Sequence, residues 1–268
     1  MAASPENFTL DSGHYENMPL NAELLEHFTQ FARAVQKHDG TPAFSEQTLV
    51  ELSKAVRGES LVKPQVFAFT PAADNPELQA VLVAIPSPED SNEPGVLEAA
   101  VHPQMRGQGV GPAFFARVIE DLGSEASNYN LWVHGSATDT GIESPANELA
   151  EAAGFTPVRV LYKMVLPLDE QTRENLAELS DARTLPDSLE LRTFTPADEN
   201  GEPLHAIELY VDADNAPALK LYESLGFAVA TVDRMYAPER GSGKSSSNGV
   251  DAGVLSAVTT AVISTGSI

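Results

Sequence analysis

The chain has 268 residues, 42% of them hydrophobic, with no cysteine and a formal net charge of −23 from 39 acidic and 16 basic side chains. Apolar content at this level supports one large or two small globular domains, and the absence of cysteine excludes disulfide frameworks, zinc–thiolate clusters and thiol nucleophiles. So acidic a surface repels phosphate backbones and anionic headgroups, so neither nucleic acid nor a membrane is expected as a partner.

The first segment, MAASPENFTLDSGHYENM, has neither a basic start nor an apolar run. It reads as a flexible N-terminus over residues 1–20, not as a signal peptide, and a cytoplasmic monomer is expected. From Asn21 to about Ala55, apolar residues recur at three- and four-residue intervals in LLEHFTQFARAVQ and SEQTLVELSKAV. Two amphipathic helices broken at DGTPAF are predicted, the second capped by Ser45. QVFAFTP, QAVLVAIP and GVLEAAVHP follow, separated by Pro, Asp and Asn turns as in an antiparallel meander.

After RGQGVG (Arg106 to Gly111), Val110, Phe114, Val118 and Leu122 mark one face of a helix. NLWVHG and VRVLYKMVLPL read as strands, and the first domain closes near residue 168. Residues 169–188 are polar and fit a linker. A partial second unit is expected over 189–238, opening with the strand LELRTFTP, and residues 239–268, with RGSGKSSSNG at their start, read as a disordered tail. The apolar run VLSAVTTAVIS is about half as long as a bilayer span.

Two segments repeat. ESPANELAEAAGFTPVRVLYKMVL and NAPALKLYESLGFAVATVDRMYA align without a gap when Gly154 is laid on Gly226, each reading as a short helix ending in Gly-Phe and then a strand. The first copy has a strand, a glycine turn and a helix ahead of it, and the second does not. The second has Tyr222 where the first has Ala150.

RGQGVG joins a strand to a helix. Its glycines let the backbone approach a ligand closely, and the first amides of the helix are unpaired donors at the positive end of its dipole, a combination suited to a pyrophosphate. The spacing is not the dinucleotide pattern GxGxxG. Glu98, on the strand before the loop, stands where a base could take a proton from an ammonium. Tyr222 fits either a proton donor or a helix tyrosine with its ring in a core. Asn215 would cap its helix in any case. His102 and His134 have no partner at ligand spacing and read as strand-end residues, so no metal site is expected.

VHPQMRGQGVG resembles the acetyl-coenzyme A loop of the GNAT superfamily, whose pattern (Q/R)xxGx(G/A) is filled here by Arg106, Gly109 and Gly111. WVHGS, the strand ending KMVLPL, LELRTF and LYVDADNAPALKLYESLGF are together similar to the mycothiol synthases, tandem acetyltransferases of actinobacteria. The resemblance runs from about Asn21 to Pro238 with one gap. It implies an α+β fold with a mixed sheet, as one complete GNAT domain and a partial second copy. It also implies acetyl-CoA as co-substrate and the cysteinyl amine of a glucosaminyl-inositol precursor as the small-molecule acceptor.

By the same resemblance, Ala99, Ala100, Val101, Arg106, Gly107, Gln108, Gly109, Val110 and Gly111 would line the coenzyme in the first copy. Asn215, Ala216, Pro217, Ala218, Leu219 and Lys220 would do so in the second. Glu46 and Tyr210 would face the acceptor, Tyr222 would protonate the departing thiolate, and Glu98 is the candidate base. Between Thr195 and His205 the chain lacks most of the family's C-terminal domain, including its coenzyme loop. The alternative is a coenzyme-binding module that does not catalyse.

Overall fold

The structure is a computed structural model and describes residues 10–136, 144–175, 205–239 and 262–264. Its elements in chain order are β1 (His14–Met18), α1 (Ala22–Asp39), α2 (Glu46–Arg57), β2 (Gln65–Thr70), β3 (Ala80–Ile85), β4 (Gly95–Val101), α3 (Val110–Leu122), β5 (Tyr129–Ser136), α4 (Pro145–Ala152), β6 (Phe155–Pro167), β7 (Ala206–Asp212), α5 (Ala216–Ser224), β8 (Ala228–Pro238) and β9 (Val262–Ser264). Two compact units divide the chain. Unit 1 is Met1–Val160 with Val232–Gly249, and unit 2 is Leu161–Thr231 with Val250–Ile268.

In unit 1, β1 to β4 form an antiparallel meander. β4 then pairs in parallel with β5, and beyond β5 come the C-terminal part of β8 and the N-terminal part of β6. The meander and both N-terminal helices match the sequence reading. Asn21 caps α1 and Ser45 caps α2, each accepting a hydrogen bond from the backbone N–H three residues on. β3 is buried along almost its whole length because both faces of the sheet are covered. Phe67, Phe69, Leu82 and Leu97 pack with Phe114, Phe115 and Val118 of α3 on one face. Val66, Val81 and Val83 pack with Phe28, Val35 and Leu52 of α1 and α2 on the other.

Residues 14–18, within the segment expected to be flexible, are the edge strand of this sheet and pair with residues 66–70. Tyr15 explains the difference. Its ring stacks on Phe67 and meets Phe114 edge-on, and its hydroxyl donates to Asp121 at 2.8 Å; these contacts join residues far apart in sequence. At the start of β4, Gly95 has no room for a side chain. A Cβ there would stand 2.6 Å from the Ile85 carbonyl oxygen and 2.7 Å from the Tyr129 ring. Gly95→Ala is therefore expected to lower stability by about 1–3 kcal/mol through overpacking, measured as a fall in the urea midpoint at unchanged slope.

In unit 2, the C-terminal half of β6 pairs antiparallel with β7, and β7 with β9. Met164, Leu209 and Val211 are buried, with Tyr162, Leu219, Tyr222 and Phe227 packed beside them. The repeat is visible in the backbone. Ser144 and Asn215 cap α4 and α5, each helix has a proline in its first turn, and Gly154 and Gly226 follow the helices at φ 82° and 94°. The tail expected to be disordered contributes β9. Of the expected linker, residues 170–175 are helical. Its residues 176–188, the predicted strand LELRTFTP and the gap between Thr195 and His205 lie outside the described residues.

Candidate active site

β4 and β5 are in parallel register from Gly95↔Tyr129 to Glu98↔Trp132, and there the pairing ends. Ala99, Ala100 and Val101 stay paired to β3 on the other side, so beyond Glu98 the two central strands part and leave β4 an edge facing the opening. The loop that follows carries Gly107 at φ 73° and Gly109 at φ 83°. Gly109 is the N-cap of α3 and makes no side-chain cap hydrogen bond, so the amides of Val110 and Gly111 point out at the positive end of the helix. Gly111 packs so close to β4 that a Cβ would lie 3.4 Å from Val101 Cγ2. Gly109→Val would force a β-branched residue into left-handed backbone. It is expected to abolish acetyl-CoA binding; calorimetric titration matching the parent would overturn the assignment of the loop.

The loop is anchored by Arg106. Its guanidinium makes a two-pronged bond to Asp39 at the end of α1, at 2.7 and 2.8 Å, and Nε donates to the Val101 carbonyl at 3.0 Å. Burial pushes the Asp39 carboxyl up, but hydrogen bonds from Arg106 and His38 outweigh it and leave the group below its ordinary value. The side chain of Arg106 is thus committed to holding the loop. Gln108 likewise turns back, donating to the Gln104 carbonyl at 2.8 Å.

Glu98 is 2% exposed. Its Oε2 accepts the Ser45 N–H at 3.0 Å, at the start of α2, and its Oε1 lies 3.2 Å from His134 Nε2. Burial raises the Glu98 pKa, but bonds from His134, Ser45 and Thr48 bring it below the ordinary carboxylate value. On its other side, His134 Nδ1 lies 2.9 Å from Asp233 Oδ1. Burial alone would lower the His134 pKa, yet the two carboxylates lift it from 6.5 to about 10, so the imidazole is a cation between two anions. Sequence reading placed His134 as an ordinary strand-end residue. No local signal marks the group, because its partners lie 36 and 99 positions away.

Of the other expected site residues, Glu46 is exposed in the first turn of α2, beside Ser45, whose amide binds Glu98. The fold therefore gathers Glu46, Glu98, Ala99–Val101 and the loop in unit 1. Tyr210, Asn215–Lys220 and Tyr222 belong to unit 2. There Tyr210 stands opposite Lys163 in register, the Asn215 side chain caps α5 by accepting the Ala218 N–H at 3.2 Å, and the Tyr222 ring meets Phe227 edge-on. Ala150, the counterpart of Tyr222 in the repeat, is fully buried. Among the described residues, no cluster of three His, Cys, Asp or Glu could hold a metal ion, and no helix is long and apolar enough to cross a membrane.

No family model matches the chain. Individual relatives do. A mycothiol acetyltransferase of Rothia mucilaginosa is 42% identical over 344 residues, covering 88% of this chain and 96% of that protein. One from an Arthrobacter species is 26% identical, over 87% of this chain and the whole of the relative. The first alignment is longer than the 268-residue chain, so the relative holds segments with no counterpart here. Among solved structures, a tandem GNAT protein from the clavulanic acid biosynthesis pathway superposes with a TM-score of 0.55 at 12% identity, over 84% of this chain and 97% of that one, and shares its fold. With a GNAT fold, and with 42% identity across nearly the full length of a relative, the chain belongs to the mycothiol acetyltransferase family.

Proposed function

We propose that this chain is an N-acetyltransferase that moves an acetyl group from acetyl-CoA to the cysteinyl amine of the glucosaminyl-inositol precursor of mycothiol. The observation that carries the reading is the parting of β4 and β5 directly ahead of a glycine loop and an uncapped helix start. The pyrophosphate of the donor fits the outward amides of Gly107 to Gly111. Its pantetheine arm fits the open edge of Ala99–Val101, in the manner of an added strand. The amine then attacks the thioester carbonyl directly, a backbone amide steadies the oxyanion, and an acid protonates the leaving thiolate. Within unit 1, Glu46 is the proposed acceptor contact; within unit 2, Tyr210 is the proposed acceptor contact and Tyr222 the proposed acid of the second copy.

The test is acetyl transfer by the purified chain with acetyl-CoA and the cysteinyl precursor. Turnover much weaker than that of an intact relative is the expected outcome, because the glycine loop and Tyr222 belong to different copies of the repeat; turnover comparable to an intact relative and lost on Tyr222→Phe would overturn it. A second reading, a module that binds acetyl-CoA without catalysing, is favoured by the segments of the relative that have no counterpart here. It is also favoured by the division of Tyr222 and the loop between two units. Tight acetyl-CoA binding with no acetylated product would select it.

A further inference from the structure

The start of α2 is tied down by a residue that is not part of the helix. Ser45 is the N-cap and Glu46 the first residue of α2. In a capping box the N-cap hydroxyl accepts the amide three residues on, and a Glu or Gln side chain at that third position accepts the N-cap's own amide in return. Here only the first half is local. Ser45 Oγ accepts the Thr48 N–H at 3.2 Å, and Thr48 has no carboxylate or amide with which to return the bond. The acceptor for the Ser45 N–H comes from 53 positions away, as Glu98 Oε2 at 3.0 Å.

Glu98 is the near end of a line of charges. Leu97, Leu131, Val133 and Tyr236 pack beneath α3, so by strand alternation Glu98, His134 and Asp233 project from the opposite face of the sheet, the side on which α2 lies. Asp233 Oδ1 stands 2.9 Å from His134 Nδ1, and His134 Nε2 stands 3.2 Å from Glu98 Oε1. With the start of α2 beyond Glu98, the signs alternate: carboxylate, imidazolium, carboxylate, positive end of a helix. All of these groups belong to unit 1. Each bond orients the next, because the imidazole has a carboxylate at both ring nitrogens and Glu98 is closed off from water that could replace its partners.

We propose that Glu98, His134 and Asp233 are positioning residues for the acceptor: they fix the backbone at Ser45 and so set where Glu46, the next residue, presents its carboxylate. Glu46 is exposed, so its backbone places it and packing does not. The inference rests on the reading of Glu46 as an acceptor contact and is independent of which copy of the repeat carries the transfer. It adds that the last strand of the second copy, through Asp233, shapes the start of a helix in the first. The glycine loop has a separate anchor, Arg106 on Asp39, which supplies an internal control.

The test is a double-mutant cycle on the full chain, read by calorimetric titration as the dissociation constants of the cysteinyl precursor and of acetyl-CoA. Asp233→Asn keeps the side chain's shape and one acceptor oxygen but breaks the alternation of charge. Alone it should weaken precursor binding about threefold to tenfold and leave acetyl-CoA binding unchanged. Glu46→Gln alone should weaken the precursor at least as much. In the Glu46→Gln background Asp233→Asn should add little, because the contact that it positions is already gone. Glu98→Gln, which keeps the length and an acceptor for the Ser45 N–H, takes the place of Asp233→Asn in the cycle if that variant does not fold. A second readout needs no ligand. An N-cap amide is ordinarily open to water, whereas the Ser45 N–H should exchange slowly in the parent and faster in Asp233→Asn, by more than the change in global stability accounts for. Additive effects in the cycle, an equal loss of acetyl-CoA affinity, or a Ser45 amide that exchanges at the open rate in the parent would overturn this inference alone. A parent that does not bind the precursor, or a Glu46→Gln variant that binds it as the parent does, would overturn the acceptor reading of Glu46 and this inference with it.

Discussion

Replacing His134 with alanine is expected to cost about 3–5 kcal/mol of folding stability, because it leaves two buried carboxylates without their shared cation. Glu98 is 2% exposed and Asp233 7%, so neither can recover its hydration. The charge origin of the loss can be checked. Adding Glu98→Gln and Asp233→Asn to the alanine variant removes the stranded anions and should restore part of the lost stability, whereas a loss due to the cavity alone would persist.

The pH dependence follows from the direction of each shift. The His134 pKa is raised in the folded state from 6.5 to about 10, so its contribution is complete below pH 6.5 and fades as pH climbs towards 10. That of Glu98 is lowered from 4.5, so its contribution is complete above that value and is lost in acid. Urea midpoints of the parent should therefore decline between pH 6.5 and about 9, and the alanine variant should be flatter across this window; nearer pH 10 the raised pKa values of Tyr15, Tyr129 and Tyr236 add a loss common to both. An equal decline in both would place the alkaline sensitivity elsewhere.

A chain ending at Thr231 is expected to lose the cooperative folding of unit 1 altogether. Tyr236 is 1% exposed within the cluster beneath α3, and losing one such aromatic costs about 3–5 kcal/mol. The same cut removes Asp233 from His134. It also strips backbone partners from β5 and β6, including the bond from the Glu239 N–H to the Gly154 carbonyl at 2.8 Å. These losses together rival the whole stability of an ordinary domain, about 5–15 kcal/mol. Thermal melts followed by circular dichroism and limited proteolysis provide the measurement. A sharp transition and a resistant core like the parent's would contradict the expectation.

The meander, the paired helices and the helix after the glycine turn were legible in the sequence because each rests on local periodicity or on a cap. Val110, Phe114, Val118 and Leu122 are buried on the face their spacing implies. The glycine loop was legible too, since a strand, glycines and a helix start are contiguous. What could not be read was pairing at a distance. His14–Met18 is polar and short, and becomes a strand only because Tyr15 finds Phe67 and Phe114. Arg106 matched a ligand-binding pattern, but nothing along the chain announced that Asp39 would take its guanidinium. The charged triad is the extreme case, because β8 brings Asp233 to a histidine 99 positions earlier.

Among the described residues the boundary between the units crosses the chain twice, within β6 and again within β8. No single cut yields unit 1 as a contiguous fragment, so the repeat, though modular in sequence, is not modular as heritable pieces. Shortening that falls in the interior of the second copy leaves the sheet of unit 1 complete so long as Val232–Pro238 stays attached. Shortening that runs through to the end does not. Selection for a folded first copy alone is then enough to retain the last strand of the second, whatever becomes of the residues between.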